Sequence, residues 1–166
     1  MPDTWTYING EWKPRSQVAI SLGDRGFYLG DAVFDLYRTF NGKPYRLKEH
    51  MDRFFRSLKY VRIDPGVSPE EMTALTLECV RRNEPFRKEA GDWSVWYGAT
   101  RGLADWRTVD ARPTLIVQCA QTPFSSFARF YEPGTHAVIA RTRNNSAETL
   151  EPKLKHTSRM HLIMAD

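Results

Sequence analysis

The sequence predicts an α+β fold: an N-terminal two-layer α/β sandwich lobe with a mostly antiparallel sheet, followed by the start of a second, C-terminal lobe that is incomplete. Three observations carry this expectation. Two Asn-Gly dipeptides, Asn9-Gly10 and Asn41-Gly42, each separate short runs rich in aromatic and β-branched residues. After Leu47 the apolar period changes from that of a strand to that of a helix. From Gln121 the texture shifts to a stretch rich in Pro, Ser and Gly, after which short apolar runs resume.

In chain order, TYI and EWK flank Asn9-Gly10. That dipeptide best suits the positive φ angles of a type I′ turn, so the first two strands form a hairpin. The segment SLGDRGFYLGD, with glycines at 23, 26 and 30, predicts a loop. VFDLYRTF, then Asn41-Gly42-Lys43, then PYRL predict a second hairpin. Met51, Phe54, Phe55, Leu58 and Val61 recur at helical spacing and predict an amphipathic helix over about residues 48 to 60. Ser68-Pro69-Glu70-Glu71 combines an N-cap serine, a proline at the first helical position and a capping-box glutamate, opening a helix that runs to about Arg82. WSVWYGAT and PTLIVQCA predict two more strands joined by a loop, TPFSSFARFYEPG a connector, HAVIA a short buried strand, and SRMHLIMAD the first turns of a helix. The domain boundaries that follow are residues 1–120 for the N-terminal lobe, 121–135 for the connector and 136–166 for the beginning of the C-terminal lobe. A second lobe of that size buries too little surface to fold alone, so the expectation is either an N-terminal portion of a longer protein or a lobe that something else completes.

Composition narrows the function classes. With 41% hydrophobic residues the chain supports one respectable core, and no uninterrupted apolar run is long enough to cross a bilayer. No secretory leader is visible in MPDTWTYING, so the default location is cytoplasmic. The net charge of +4 arises from 24 basic and 20 acidic residues spread along the chain, which describes a mixed surface. Nucleic-acid binding would rest only on a pI near 9.2 and on Arg141-Thr142-Arg143, and it is not expected. Cys79 and Cys119, without a CxxC partner, read as buried, inert thiols. His156 and His161 lie five residues apart, off a common helix face, and no metal is expected.

Two basic residues have a chemical reading beside an ordinary one. Arg53 lies one turn after His50 near a helix start, where a guanidinium is either a surface ion-pair partner or a holder of phosphate oxygens. Lys155 follows Leu154 and precedes Thr157, Ser158 and an apolar run. It is either part of a solvated rim or an amine partly withdrawn from water, whose lowered pKa suits a nucleophile or base near neutral pH.

Three blocks run the length of the chain: YINGEW near the start, DRGFYLGDAVFDLYRTFNGKPYRLKEHMDRFFRSL with its aromatic strand, NG hairpin and H-x-x-R helix, and LKHTSRM near the end. With them the chain strongly resembles the class IV (fold type IV) pyridoxal-phosphate-dependent aminotransferases, which include branched-chain aminotransferases, D-amino acid transaminases, (R)-selective amine transaminases and aminodeoxychorismate lyase. The resemblance implies that Lys155 is the catalytic, Schiff-base lysine that also anchors pyridoxal 5′-phosphate, and that Arg53 binds the cofactor phosphate. Lys155-His156-Thr157-Ser158-Arg159 looks most like the aminodeoxychorismate lyase form of the anchor, with Ser158 where Asn is commoner. For the substrate the resemblance implies Phe34 as an aromatic wall, Trp96 and Tyr97 where the family has a pocket-lining strand tyrosine, and Arg101 and Arg107 as candidates for the substrate carboxylate. It further implies that the glutamate facing the pyridine nitrogen lies beyond residue 166. The expected activity is transfer of an amino group between a branched-chain or D-amino acid and a 2-keto acid, in a homodimer with no nucleic-acid or membrane partner. The alternatives are lyase-type or (R)-selective amine transaminase activity, or a catalytically silent dimerising lobe, to which an aromatic content of 13% is suited.

Overall fold

The computed structural model of the chain describes residues 3–88, 91–103 and 112–165. Its centre is a six-stranded sheet. Strands β1 (Trp5–Ile8) and β2 (Glu11–Pro14) form the first hairpin, with Asn9 at φ 48° and Gly10 at φ 95° in the turn. β3 (Ala32–Phe40) and β4 (Lys43–Pro44) form the second around Asn41 and Gly42, and β5 (Trp93–Thr100) and β6 (Leu115–Gln121) complete the order β2-β1-β6-β5-β3-β4. Every pairing is antiparallel.

The strands alternate as a half-covered sheet must. Val33, Asp35, Tyr37 and Thr39 of β3, with Trp93, Val95, Tyr97 and Ala99 of β5, are buried on one face. Two helices cover that face, α2 (Leu47–Val61) and α3 (Pro69–Asn83), both within a few residues of their expected bounds. The complete capping box at Ser68 and Glu71 opens α3. Phe54 of α2 meets Tyr97 edge-on with ring centroids 5.1 Å apart and is fully buried, a burial worth about 2 kcal/mol. The opposite face carries Phe34, Leu36, Trp96 and Phe40, none of them fully buried.

Two segments differ from expectation. Inside SLGDRGFYLGD the chain forms a short helix, α1 (Arg25–Leu29). Asp24, 1% exposed, caps it by accepting from the Gly26 amide at 2.7 Å, and the same carboxylate accepts from Thr100 and Thr114. Five residues are too few to show a helical period, so only the flanking Asp and Gly marked it. Residues 136–140, HAVIA, are not a buried strand: they form no strand, and Val138 and Ile139 are 88% and 92% exposed. An apolar pentapeptide becomes a strand only beside a hydrogen-bonding neighbour and under a packed layer, and no described element lies over it. Short helices at α4 (Phe124–Ala128) and α5 (Met160–Ile163) are the other regular elements after the sheet.

Cys79 and Cys119 are both fully buried free thiols, with sulfurs 3.1 Å apart where α3 crosses β6. Among the described residues no helix is long and apolar enough to cross a membrane.

Candidate active site

β4 accompanies only Thr39 and Phe40, so the N-terminal half of β3 has an open edge. Residues 155–157 fill it. The Phe34 amide donates to the Lys155 carbonyl at 3.0 Å, the Thr157 amide donates to the Ala32 carbonyl at 3.1 Å, and Val33 and His156 pair between them. Thr157 and Ser158 hydroxyls both donate to the Gly30 carbonyl. Gly30 has φ 70°, and a Cβ there would run into the Ser158 hydroxyl, so a glycine is required for this approach. Leu154, 6% exposed, anchors the segment in the core. These contacts place the half-buried Lys155 amine against the Phe34 ring, 4.8 Å from its centroid.

Behind Phe34 lies an ion-pair cluster. Asp35 points to the helix-covered face and is fully buried. Arg53 of α2 donates to it through Nε and Nη2, both at 2.7 Å, and His50 Nδ1 lies 2.9 Å from the same carboxylate. A side-on guanidinium bound through Nε and Nη2 retains Nη1 for another anion. Burial alone would raise the Asp35 carboxyl, but the hydrogen bonds from Arg53 and His50 outweigh it and hold the group below the ordinary carboxylate range. Burial also lowers the Lys155 amine from its usual value; Arg53 and Arg159 push it the same way, and Asp35 opposes them.

Phe34 stacks on Trp96, centroids 5.8 Å apart and planes 21° apart. Gly98 sits opposite Phe34 across the β3–β5 ladder, and its lack of a side chain gives the Trp96 ring its place: a Cβ would lie 2.7 Å from Trp96 Cη2 and 3.0 Å from the Val33 carbonyl oxygen. Gly98→Val should displace the indole and break the stack, at an overpacking cost of about 1–3 kcal/mol. The near-UV circular dichroism of Trp96 reads this, and a spectrum unchanged in Gly98→Val would refute the arrangement.

The other substrate candidates divide. Tyr97 points away from Phe34, as its neighbour Trp96 points toward it, because successive strand residues face opposite sides. It is fully buried against Phe54, with its hydroxyl lacking a hydrogen-bond partner among the described residues and its pKa raised first by burial. The Arg101 guanidinium is occupied: it donates to Asp31 at 2.7 and 3.1 Å and to the carbonyls of Val61 and Arg62. That engagement argues against a role on a substrate carboxylate. Arg107 lies outside the described residues.

Sequence reasoning had no role for Asp35 or Arg159. The signal for Asp35 was present, since a carboxylate alternating with Val33, Tyr37 and Thr39 occupies an inward position and requires a cationic partner. The His156 and His161 rings come within 5.9 Å because His156 precedes α5 instead of sharing its face. Among the described residues no three metal-ligating side chains cluster.

The chain matches known proteins in both sequence and fold. Residues 32–166 match the family described as Amino-transferase class IV. A D-alanine aminotransferase from Staphylococcus aureus (strain N315) is 32% identical over 114 residues, covering 66% of this chain and 39% of that protein. The branched-chain aminotransferase from Thermoproteus uzoniensis, solved with norvaline, superposes with a TM-score of 0.81 at 21% identity, over 98% of this chain and 54% of the other. A branched-chain amino acid aminotransferase from T.th., solved with pyridoxamine 5'-phosphate, superposes with a TM-score of 0.63 at 24% identity, over 74% of this chain and 42% of the other. The chain therefore spans between 39% and 54% of the lengths of these proteins.

Proposed function

Since the chain belongs to the class IV aminotransferases, we propose that the whole protein transfers an amino group between an amino acid of the branched-chain or D-amino acid type and a 2-keto acid, using pyridoxal 5′-phosphate. One observation carries the reading: the β3 edge holds the Lys155 amine against Phe34, partly out of water and within electrostatic reach of Arg53, whose guanidinium is held by Asp35. The donor set fits the cofactor, with an amine of lowered pKa for its aldehyde and a tethered guanidinium for its phosphate.

Pyridoxal phosphate, when bound, supplies an aldehyde that condenses with amines and a ring that accepts the electrons left when an α-proton departs. Lys155 is the amine that holds the aldehyde. Its Nζ, when free, would take the proton from the substrate α-carbon and give it back as the amino group is passed on. A lowered pKa keeps more of that amine neutral at physiological pH. Arg53 offers the part of its guanidinium not bound by Asp35 to the phosphate, and Phe34 and Trp96 form an apolar wall that limits the substrate side chain and excludes water.

The same proposal includes a homodimer in a cytoplasmic setting and the division into lobes at residues 1–120 and 136–166 with the connector between. Phe27 and Tyr28 of α1, 68% and 69% exposed near the site, support an additional covering surface. The similarity to a D-alanine aminotransferase and to a branched-chain aminotransferase supports branched-chain and D-amino acids over lyase-type substrates.

Incubating the full-length protein with pyridoxal phosphate and reducing with borohydride is expected to place a single pyridoxyl group on Lys155, read by peptide mass spectrometry. Label scattered over surface lysines, and unchanged by Lys155→Met, would overturn the proposal.

A further inference from the structure

Arg159 is the second cation against the Phe34 ring. Its guanidinium carbon lies 5.1 Å from the ring centroid, next to the Lys155 amine at 4.8 Å. Its Nε donates to the His156 carbonyl at 3.2 Å. Among the described residues no carboxylate or carbonyl meets its terminal nitrogens. The neighbouring arginines have other partners: Arg53 is held by Asp35 with its remaining edge assigned above to the cofactor phosphate, Arg101 is bound to Asp31 and two carbonyls, and Arg38 lies over the rings of Phe40 and Phe124 at 4.0 and 4.7 Å. A guanidinium held near a half-buried ammonium, with no anion of its own, is unfavourable unless something negative comes to it. An α-amino or α-keto acid brings that charge. Its carboxylate is attached to the carbon bearing the reacting nitrogen or carbonyl, so a group exchanging places with the Lys155 amine carries its carboxylate to the immediate neighbourhood of that amine.

We infer that Arg159 binds the carboxylate of the amino- or keto-acid substrate, through the two terminal nitrogens that the fold leaves uncommitted. The inference rests on the pyridoxal reading above. The anchor at Nε and the ring beneath the guanidinium fix its direction, which suits two parallel hydrogen bonds to a planar carboxylate. Arg159 is then a specificity residue that favours acids over carboxylate-free amines.

The test uses full-length protein loaded with pyridoxal phosphate, with 4-methylvalerate as an unreactive carboxylate probe and 4-methylvaleramide as its neutral counterpart. Binding is followed by the cofactor's absorbance and by tryptophan fluorescence. In Arg159→Met the Kd for 4-methylvalerate is expected to rise about 10- to 100-fold, the loss of a charged hydrogen-bond pair, while the Kd for the amide and for the cofactor change little. Arg159→Lys, which keeps the charge and loses the fork, should fall between. KM for amino acid donors should follow the Kd with a smaller change in kcat.

Equal Kd values for wild type and Arg159→Met, or no saturable binding by wild type, would overturn the inference. So would cofactor affinity falling as steeply as carboxylate affinity, which would assign Arg159 to the cofactor. Circular dichroism separates these from misfolding, and the lysine variant keeps the test decisive if the methionine variant does not fold. In all these outcomes a pyridoxyl label on Lys155 leaves the broader reading standing; its absence in wild type would remove that reading instead.

Discussion

Lys155→Met is expected to reduce amino transfer by the full-length protein by about ten-thousand-fold or more, and at the same time to raise the thermal stability of the cofactor-free form. The loss follows from chemistry. On the function proposed above, one amine holds the cofactor and also moves the proton at the substrate α-carbon, so no other group of the site replaces it. The gain follows from burial. The fold withdraws Lys155 partly from water beside two arginines, so its proton is held less tightly in the folded chain than in the unfolded one. A base whose folded pKa is lowered weakens the fold fully at pH below that pKa. The weakening is relieved as pH rises toward the ordinary lysine value of about 10.4. Methionine keeps the contact with Phe34 and removes the charge. Calorimetry at pH 7 should therefore show a higher Tm for the variant, with the difference shrinking by pH 10. A variant less stable than wild type by the same amount at both pH values would contradict this account of the site.

The second large effect is at the Asp35–Arg53 pair. Arg53→Ala leaves a fully buried carboxylate with only His50 and the Leu36 amide as partners. The expected destabilisation is about 3 kcal/mol, because a buried charge loses its main compensation. Removing the other partner should cost less, since the Arg53 side chain is 37% exposed and turns to water in Asp35→Asn. The pH dependence should also invert. In the wild type Asp35 is held below the ordinary carboxylate value, so its contribution is present above about pH 4 and is lost as pH falls through its folded pKa. In Arg53→Ala burial prevails, the folded pKa rises above the ordinary value, and stability improves as pH falls from that raised pKa toward about 4. Denaturant unfolding at pH 4.5 and pH 7 distinguishes the two slopes. Both variants should also bind pyridoxal phosphate about tenfold or more weakly, because an arginine loses its place or its tether. Parallel pH profiles for wild type and Arg53→Ala would mean that the pair does not carry the charge balance described.

Much of the lobe is legible in the sequence. Asn9-Gly10 and Asn41-Gly42 specify turns through backbone angles that few other residues adopt, and Ser68 with Glu71 closes a capping box within four residues. The apolar stripe of α2 needs no partner to be recognised. The candidate lysine and arginine were also legible, through the resemblance of the blocks around them. What escaped was set by distance along the chain. HAVIA has strand composition and lies exposed, because composition does not supply a neighbour. Arg101 and Arg53 are alike as residues, yet one is closed by Asp31 and the other is left half open by Asp35.

The sequence by itself determined the local elements and the kinds of chemistry available: two hairpins, two helices on one sheet face, an amine and several guanidiniums near apolar residues. Those depend on backbone propensity and on patterns within a turn or two. Only the tertiary structure decided which of these groups meet. The open edge of β3 draws in residues 155–157, the register of β3 against β5 turns Trp96 toward Phe34 and Tyr97 away, and Asp35 finds Arg53 across the sheet–helix boundary. The physical reason is that a lysine's pKa, an arginine's free edge and an aromatic wall are properties of an environment. That environment is assembled from segments more than a hundred residues apart along the chain, and it exists once the β3 edge is filled.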